Sequence, residues 1–219
     1  MNEYYDKKYH AGIFHSYLYS YPEYYRLKAK VSYLKYFKNF PKSKKILDYG
    51  TGLGQNIYYL NKLGFNVKGY DISKFALKFC REKGLDVSDN FAKLGKFDVI
   101  FSSNVLEHLA NPLKSLIDIR KKLNKDGILI LILPYERHRY CSLKPSIDRH
   151  LYCWNFNTIN NLLDEAGYRV IENKIMNLEL GYKQLMFISR ISFPLFYFLI
   201  KLIGKWKNSR ELKIVAVKN

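Results

Sequence analysis

A glycine-rich turn after a short apolar segment constrains this chain more than any other feature. Three glycines stand at alternate positions, Gly50, Gly52 and Gly54, and a helical pattern follows them at once. Glycine allows a left-handed backbone and the close approach of a ligand, and the free N–H groups of a helix start point toward that ligand. The segment therefore predicts a strand, a ligand-binding turn and a helix. Its spacing is not that of dinucleotide-binding proteins, because Gln55 stands where their third glycine would lie.

Strand and helix patterns alternate along most of the chain, which predicts a doubly wound α/β fold. The segments 96–103 and 127–133 carry apolar residues on both faces, as in parallel strands that are covered on both sides. A helix that Asn111 caps is predicted to run through Leu123. The first predicted strand ends at residues 46–47. The other predicted strands span residues 66–71, 85–88, 96–103, 127–133, 168–175 and 211–217.

Three chemically distinct features fall at the carboxyl ends of predicted strands. The glycine turn follows the first strand, Asp71 ends the second, and Ser103 and Asn104 end the fourth. Asp71 lies 21 residues after Gly50, and an acid at that place accepts hydrogen bonds from the hydroxyls of a ribose. Ligands of such folds bind beyond the carboxyl ends of the strands, where the strand order reverses. All three features thus indicate one crevice.

Charge and cysteine content limit the classes of partner and compartment. The net charge is +18, and residues 1–45 alone carry 10 Lys/Arg against 3 Asp/Glu. Such a balance is typical of proteins with an acidic partner such as nucleic acid, an anionic membrane or a phosphorylated substrate, or of a merely solvated surface. The three cysteines lack metal-binding spacing, which favours a reducing compartment and no metal. With no signal peptide and no apolar run of about 18 residues, a cytoplasmic location is predicted.

Four segments in order resemble the class I S-adenosylmethionine-dependent methyltransferases, and within them the small-molecule branch that includes ubiquinone-biosynthesis-type enzymes. The resemblance implies a three-layer sandwich around a seven-stranded sheet, in the order 3-2-1-4-5-7-6 with strand 7 antiparallel. It also implies S-adenosylmethionine as cofactor and S-adenosylhomocysteine as product. The segments are 46–54, 69–73, 97–109, and 150–155 followed by 162–168.

The same resemblance assigns roles to individual residues. It directs the methionine end of the cofactor to the glycine turn, the ribose to Asp71 and the adenine to Ile72. The residue that meets the adenine amine falls near Asp89 or Asn90, where the match is poor. The implied cofactor-binding set is Asp48, Gly50, Thr51, Gly52, Asn56, Asp71, Ile72, Asn90, Ser103, Asn104 and His108.

A methyl transfer to a hydroxyl group also requires a base. Histidine suits this role because its pKa lies near neutrality, and the candidates for the catalytic base are His108 and His150, with His138 as a further possibility. For His108 a structural hydrogen bond beneath the site is the alternative. For His150 a structural and a substrate-facing role are equally open.

Two segments lie outside the family pattern. Residues 1–44 are basic and rich in tyrosine, and they are predicted to form a helical cap that either covers the site or packs on the edge of the core. Residues 45–219 form the predicted methyltransferase domain, in which 176–210 is an insertion between strands 6 and 7. The insertion contains large apolar residues such as Phe193 and Phe196 beside basic ones. It therefore predicts either a helix packed on the sheet or on a second subunit, or peripheral membrane contact through 190–210.

The favoured function is methyl transfer from S-adenosylmethionine to a small-molecule, lipid-linked or sugar-linked acceptor, at oxygen, by a monomer or homodimer. An RNA methyltransferase is the first alternative because of the net charge, although the segment after strand 4 is not the Asn-Pro-Pro-aromatic motif of many enzymes that methylate bases. A non-catalytic S-adenosyl-binding protein is the second. A nicotinamide-dependent oxidoreductase is disfavoured by Gln55.

Overall fold

The computed structural model describes residues 22–135 and 149–219, and its strands form one sheet in the order β3-β2-β1-β4-β5-β7-β6. Strands β1 to β5 run parallel to one another, whereas β7 is antiparallel to both β5 and β6. The predicted fold class and strand order are confirmed. The strands are β1 (Lys45–Tyr49), β2 (Asn66–Tyr70), β3 (Val87–Ser88), β4 (Phe97–Ser103), β5 (Leu123–Pro134), β6 (Tyr168–Asn177) and β7 (Arg210–Lys218).

Helices cover both faces of this sheet because neighbouring strand residues point to opposite sides. Leu47 packs in a cluster with Leu116 on one face, and Ile46 packs in a second cluster with Ile57 on the other. The three-layer arrangement follows from this alternation. The described helices are α1 (Pro22–Ser32), α2 (Gln55–Lys62), α3 (Lys74–Glu82), α4 (Pro112–Lys121), α5 (Phe156–Glu165), α6 (Tyr182–Ile191) and α7 (Phe193–Trp206).

The boundary between α4 and β5 differs from the one predicted. The sequence pattern continued the helix through Leu123, but α4 ends at Lys121 and Leu123 is the first residue of β5. Leu123 pairs with Phe97, and the register then shifts so that Ile128 pairs with Val99. The pattern was misleading because a fully buried leucine satisfies a helical and a strand period equally well.

The insertion between β6 and β7 folds into α6 and α7, which pack on α1. Leu27 and Val31 of α1 share a buried cluster with Phe196 and Ile200 of α7. The backbone N–H of Leu180 also donates to the Ile200 carbonyl at 3.1 Å. Phe196 and Ile200 are completely buried, so this face of α7 belongs to the core. The first 21 residues of the predicted cap, and His138, lie outside the described residues.

Gly204 sets how closely α7 approaches the end of β6. A Cβ at this position would lie 1.7 Å from the carbonyl oxygen of Leu178, which is a backbone atom. The Leu178 N–H in turn donates to the Ser209 carbonyl at 2.9 Å, and the Ser209 N–H donates to the Gly204 carbonyl at 3.1 Å. Glycine inside a helix is normally unfavourable, and here it is needed because two backbone segments are in contact.

We therefore expect Gly204→Ala to lower the free energy of unfolding in urea by about 1–3 kcal/mol, as overpacking does. In an unobstructed helix the same change would raise it by about 1 kcal/mol. Gly95→Ala is the control, because its Cβ would meet only Lys45 Nζ, at 3.5 Å, and should change the unfolding free energy little. An unchanged or increased stability of Gly204→Ala would contradict the close approach of α7 to Leu178.

Candidate active site

The glycine turn after β1 joins the carboxyl ends of three neighbouring strands. Gly50 and Gly54 adopt φ values of +77° and +74°, which side chains with a Cβ rarely tolerate. A Cβ at Gly50 would lie 2.2 Å from Cγ2 of Val105, just beyond β4. The N–H groups of Gly50 and Thr51 both donate to the carbonyl of Tyr70, at 2.8 and 2.9 Å. The turn is thus tied to the end of β2 and leaves no room for a side chain on the β4 side.

Asp71, the residue that follows β2, is oriented by the backbone around it. One carboxylate oxygen accepts the N–H of Gly52 at 2.7 Å, and the other accepts the N–H of Ser73 at 2.8 Å. Each carboxylate oxygen has two lone pairs, so both can still accept a further hydrogen bond. Asp71 therefore presents a fixed carboxylate beside the glycine turn, with Ile72 next to it and 36% exposed.

Asp48 lies beneath the same turn and is 3% exposed. It accepts hydrogen bonds from the Thr51 hydroxyl at 2.9 Å and from the Asn56 amide at 3.3 Å. Burial raises the pKa of the Asp48 carboxyl to about 6, and the bonds from Thr51 and Asn56 oppose the rise. Asn56 in turn accepts the Ser32 hydroxyl at 2.6 Å, so the network connects the turn to α1.

The carboxyl end of β4 carries the second half of the predicted site. Asn104 adopts φ +53°, a left-handed conformation that asparagine tolerates better than most residues, and its N–H donates to Ile132 at 2.9 Å. The 3₁₀ turn Leu106–His108 follows. The ring of His108 meets that of His150 edge-on, with centroids 4.8 Å apart. The two candidate bases are therefore brought together although 42 residues separate them in sequence.

Glu107 completes a group that is able to hold a metal ion, although the sequence predicted none. Its side chain is fully buried, and its backbone carbonyl accepts the N–H of Leu151 at 2.7 Å, which joins the 150 segment to the end of β4. Metal-ligating atoms of Glu107, His108 and His150 lie within 4.8 Å of one another. Carboxylate and imidazole ligands suit several transition metals.

Most of the residues predicted for the site line one cavity of about 650 Å³. Its wall includes nearly all of the predicted site residues, namely Asp48, Gly50, Thr51, Gly52, Asn56, Asp71, Ile72, Ser103, Asn104, His108 and His150. Asn90 is not part of the wall: it is exposed, and its side chain accepts the N–H of Lys93 at 3.2 Å. The side chain of Asn90 is occupied by its own turn, so the structure does not bring it together with the other predicted residues.

A second wall of the cavity was not predicted from the sequence. It is formed by residues of α1 and its π-helical extension (Tyr33–Phe37), of the segment after β6, and of the starts of α6 and β7. A weak signal was present, because Lys28 and Lys35 are seven residues apart and so share a helix face. Its polar members are Lys28, Lys35, Tyr36, Glu179, Tyr182 and Glu211.

Lys35 is the centre of this second wall. Its ammonium contacts Glu179 at 2.8 Å and Glu211 at 2.7 Å, and all three side chains are at most 10% exposed. The Tyr36 hydroxyl donates to Glu211; burial and this carboxylate raise the pKa of Tyr36 well above its usual value. Burial lowers the pKa of the Lys28 ammonium, against the attraction of Glu179 and Glu211. Two lysines and two glutamates thus balance one another in the cavity wall.

Comparison with known families and curated proteins identifies relatives of this chain. A family model described as a methyltransferase domain matches residues 20–173. The tRNA U34 carboxymethyltransferase of Campylobacter jejuni is 31% identical over 164 residues, 65% of this chain and 55% of that protein. The ubiquinone biosynthesis O-methyltransferase of Actinobacillus pleuropneumoniae is 30% identical over 116 residues, 46% of this chain and 50% of that protein. The matches thus span about half the length of these curated relatives.

Solved structures share the fold at much lower sequence identity. The magnesium protoporphyrin IX methyltransferase of Synechocystis, solved with bound S-adenosylhomocysteine, superposes with a TM-score of 0.64 at 14% identity. The superposition covers 100% of this chain and 98% of that one. At this identity the likeness concerns the fold alone.

The raised pKa of Asp48 gives a testable pH dependence. The folded state binds this proton more tightly than the unfolded chain, so the group stabilises the fold below a pH of about 4 and the contribution is lost as pH rises through about 6. Two pKa units correspond to about 3 kcal/mol. We therefore expect Asp48→Asn to gain up to about that much unfolding free energy, relative to the wild type, between pH of about 4 and about 7.

Urea unfolding over this pH range measures the effect. Asp126→Asn is the control: Asp126 is exposed, so the difference between this variant and the wild type should change little with pH. If the curves of Asp48→Asn and the wild type stay parallel from acid to neutral pH, Asp48 does not titrate as its burial implies.

Proposed function

This chain belongs to the methyltransferase-domain family, and we propose that it is an enzyme that transfers a methyl group from S-adenosylmethionine to a small-molecule acceptor. One observation carries the proposal: the backbone of the glycine turn holds Asp71 at the edge of a cavity that also contains the end of β4. The turn fits the methionine end of the cofactor, because Gly52 lines the cavity and, among the described residues, no atom beyond its chain neighbours lies within 4 Å of the position that a Cβ there would take.

The residues that line the cavity support one orientation of the cofactor. The methionine end would lie along Gly50, Thr51 and Gly52, above Asp48 and Asn56. The ribose hydroxyls would donate to the two oxygens of Asp71, each of which retains an acceptor site, and the adenine would lie against Ile72. The sulfonium and its methyl group would then face the end of β4, at Ser103, Asn104 and His108.

Catalysis in this arrangement is mainly a matter of position. The cofactor supplies a methyl group that its own sulfonium activates. The chain holds the acceptor in line with that group, and such orientation accounts for a large part of the barrier reduction. His108 or His150 accepts the proton of a hydroxyl acceptor, since an imidazole is basic at neutral pH. Their edge-on contact allows one ring to position the other.

The second wall supports a small acceptor that carries polar groups. Lys28, Lys35, Glu179 and Glu211 offer charged hydrogen-bond donors and acceptors inside the cavity. The likeness to a ubiquinone biosynthesis O-methyltransferase supports oxygen as the methylated atom, and a lipid-linked or sugar-linked acceptor of that type is the finer form of the proposal. Acceptors of such size fit a cavity of about 650 Å³ only in part, so a long tail would extend outward.

RNA is the alternative acceptor. It is motivated by the net charge of +18 and by the name of the Campylobacter jejuni relatives. The matched segment covers only 55% of those proteins. In addition, Glu179 and Glu211 balance the charges of Lys28 and Lys35 in the second wall, so this wall offers a phosphate backbone no net positive charge. The small molecule is therefore preferred.

Cofactor binding tests the first half of the proposal. We expect isothermal titration to detect S-adenosylhomocysteine and no competition by NADH. Asp71→Ala should weaken binding by about 30- to 150-fold, since charge-assisted hydrogen bonds to both ribose hydroxyls contribute about 2–3 kcal/mol. Asp126→Ala is the matched control, because Asp126 is exposed and outside the wall of this cavity. An unchanged dissociation constant for Asp71→Ala, with the fold intact by circular dichroism, would remove Asp71 from the site.

Methyl transfer tests the second half. Wild-type protein and S-adenosylmethionine with a tritiated methyl group are incubated with separated small-molecule, lipid and tRNA fractions of a bacterial extract. We expect label in the small-molecule or lipid fraction, and none with Asp71→Ala at the same cofactor concentration. Label in tRNA alone would establish the alternative acceptor. Binding without any transfer would favour a non-catalytic S-adenosyl-binding protein.

A further inference from the structure

The outer surface of α6 and α7 carries an unusual set of large apolar side chains. Six of the twelve exposed large hydrophobic residues in the described part of the chain lie on these two helices. Ile191 is 83% exposed and Trp206 is 81% exposed, so neither is merely at the edge of the core. We call the six residues the apolar stripe: Phe187, Ile191, Leu195, Phe198, Leu202 and Trp206.

Helical geometry places the four stripe residues of α7 on one face of that helix. In α7 the stripe positions follow one another after three or four residues, the spacing that places side chains on one face of a helix. The opposite face of α7 is buried through Phe196 and Ile200. A surface helix normally turns polar residues outward, but α7 is apolar on both sides. Packing in the core accounts for the apolar residues on the inner face, but it does not account for those on the exposed face.

The charge around the apolar stripe has one sign. Residues 180–210 contain six Lys or Arg and no Asp or Glu. Arg190 is paired with Glu23 at 2.6 Å, but Lys201, Lys205 and Lys207 are exposed, and within the ranges 22–135 and 149–219 no carboxylate is in ion-pair contact with them. Lys201 and Lys205 directly precede Leu202 and Trp206 of the stripe. Apolar and basic groups are therefore interleaved on the same outer surface.

We propose that the apolar stripe docks this protein onto the surface of an anionic phospholipid bilayer. Aromatic and aliphatic side chains enter the boundary between headgroups and acyl chains, and nearby lysines contact anionic headgroups. In the described ranges no helix is long and apolar enough to cross a membrane; α7, with 14 residues, spans only about 21 Å. The helix therefore lies in the plane of the interface.

A second copy of the chain is a poorer occupant of the apolar stripe. A symmetric contact through this surface would bring Lys201, Lys205 and Lys207 of both copies together with no acidic residue of 180–210 to neutralise them. Like charges across an interface are unfavourable. An anionic bilayer supplies the opposite charge as well as the apolar environment, so it matches both properties of the surface.

Helix α6, which carries Phe187 and Ile191 of the apolar stripe, begins at the second wall of the cavity. Its first residue, Tyr182, lines the cavity together with Leu178 and Glu179. Helix α7 is also in contact with α1, since Nζ of Lys30 lies 3.5 Å from the ring centroid of Phe193. This continuity indicates an acceptor that is itself anchored in a membrane leaflet. That assignment of substrate class rests on the proposed function, whereas membrane docking does not.

Vesicle flotation tests the docking. We expect the full-length protein to float with vesicles of phosphatidylcholine and phosphatidylglycerol, and to bind pure phosphatidylcholine vesicles at least about tenfold less. Binding should fall between about 0.1 M and about 1 M salt, because the screening length shortens from about 10 to about 3 Å. Failure of the wild type to bind the anionic vesicles at low salt would overturn the proposal.

Two double variants assign the binding to this surface. Phe198→Ser with Trp206→Ser, and separately Lys201→Glu with Lys205→Glu, should each reduce vesicle binding at least about tenfold and leave S-adenosylhomocysteine affinity unchanged. Ile171→Ser is the matched control, because Ile171 is 50% exposed on β6, and it should bind vesicles as the wild type does. Phe196 is unsuitable because it is fully buried.

The outcomes separate docking from the proposed function. Wild-type binding by the Phe198→Ser, Trp206→Ser variant would overturn the docking surface. So would light scattering that shows a wild-type dimer which this variant dissociates, because a second copy would then cover the stripe. Vesicle binding without S-adenosylhomocysteine binding would refute the proposed function and leave docking intact. If both bind but tritium never enters the lipid fraction, only the membrane-anchored acceptor is refuted.

Discussion

The reversal of strand order between β1 and β4 is the constraint on which the candidate site depends. From β1 the chain builds β2 and β3 on one side, and β4 and β5 then extend the sheet on the other. The segments that leave β1 and β4 therefore diverge and open a crevice at the carboxyl edge. The N–H groups of Gly50 and Thr51 bind the end of β2, so the crevice is held open by hydrogen bonds as well as by topology.

Distant segments form the second wall of the cavity at this crevice. Helix α1 is tied to the turn through Tyr25, whose hydroxyl donates to Leu53 at 2.9 Å. Lys35 then connects α1 to Glu179 and Glu211 of the insertion boundaries. Buried ion pairs gain little net stability, but removal of one partner is strongly unfavourable. The network therefore makes the position of α1 and of the insertion interdependent at the acceptor side of the cavity.

The sequence alone determined the strands of the sheet and the wall of the cavity that contains the glycine turn and Asp71. Those features depend on local signals: alternate glycines that indicate a tight turn, an acidic residue at the end of a strand, and strands with apolar residues on both faces. Asp71 and the glycine turn were recognisable because their spacing within one strand–helix–strand unit is short and leaves few arrangements of the chain. Leu123 shows the limit of such signals, since a buried leucine fits the end of a helix as well as the start of a strand.

Only the tertiary structure decided the acceptor side and the outward face of the insertion. Lys35 lies 144 residues from Glu179 in sequence, and no periodicity links two residues at such a distance. Large apolar residues occur on every side of α7, so the sequence does not distinguish the buried Phe196 from the exposed Phe198. Packing against α1 makes that choice, because α1 covers the face of α7 that carries Phe196 and leaves Phe198 exposed. The proposed cofactor site was thus encoded locally, whereas the second wall and the apolar stripe arise from contacts between segments far apart in the chain.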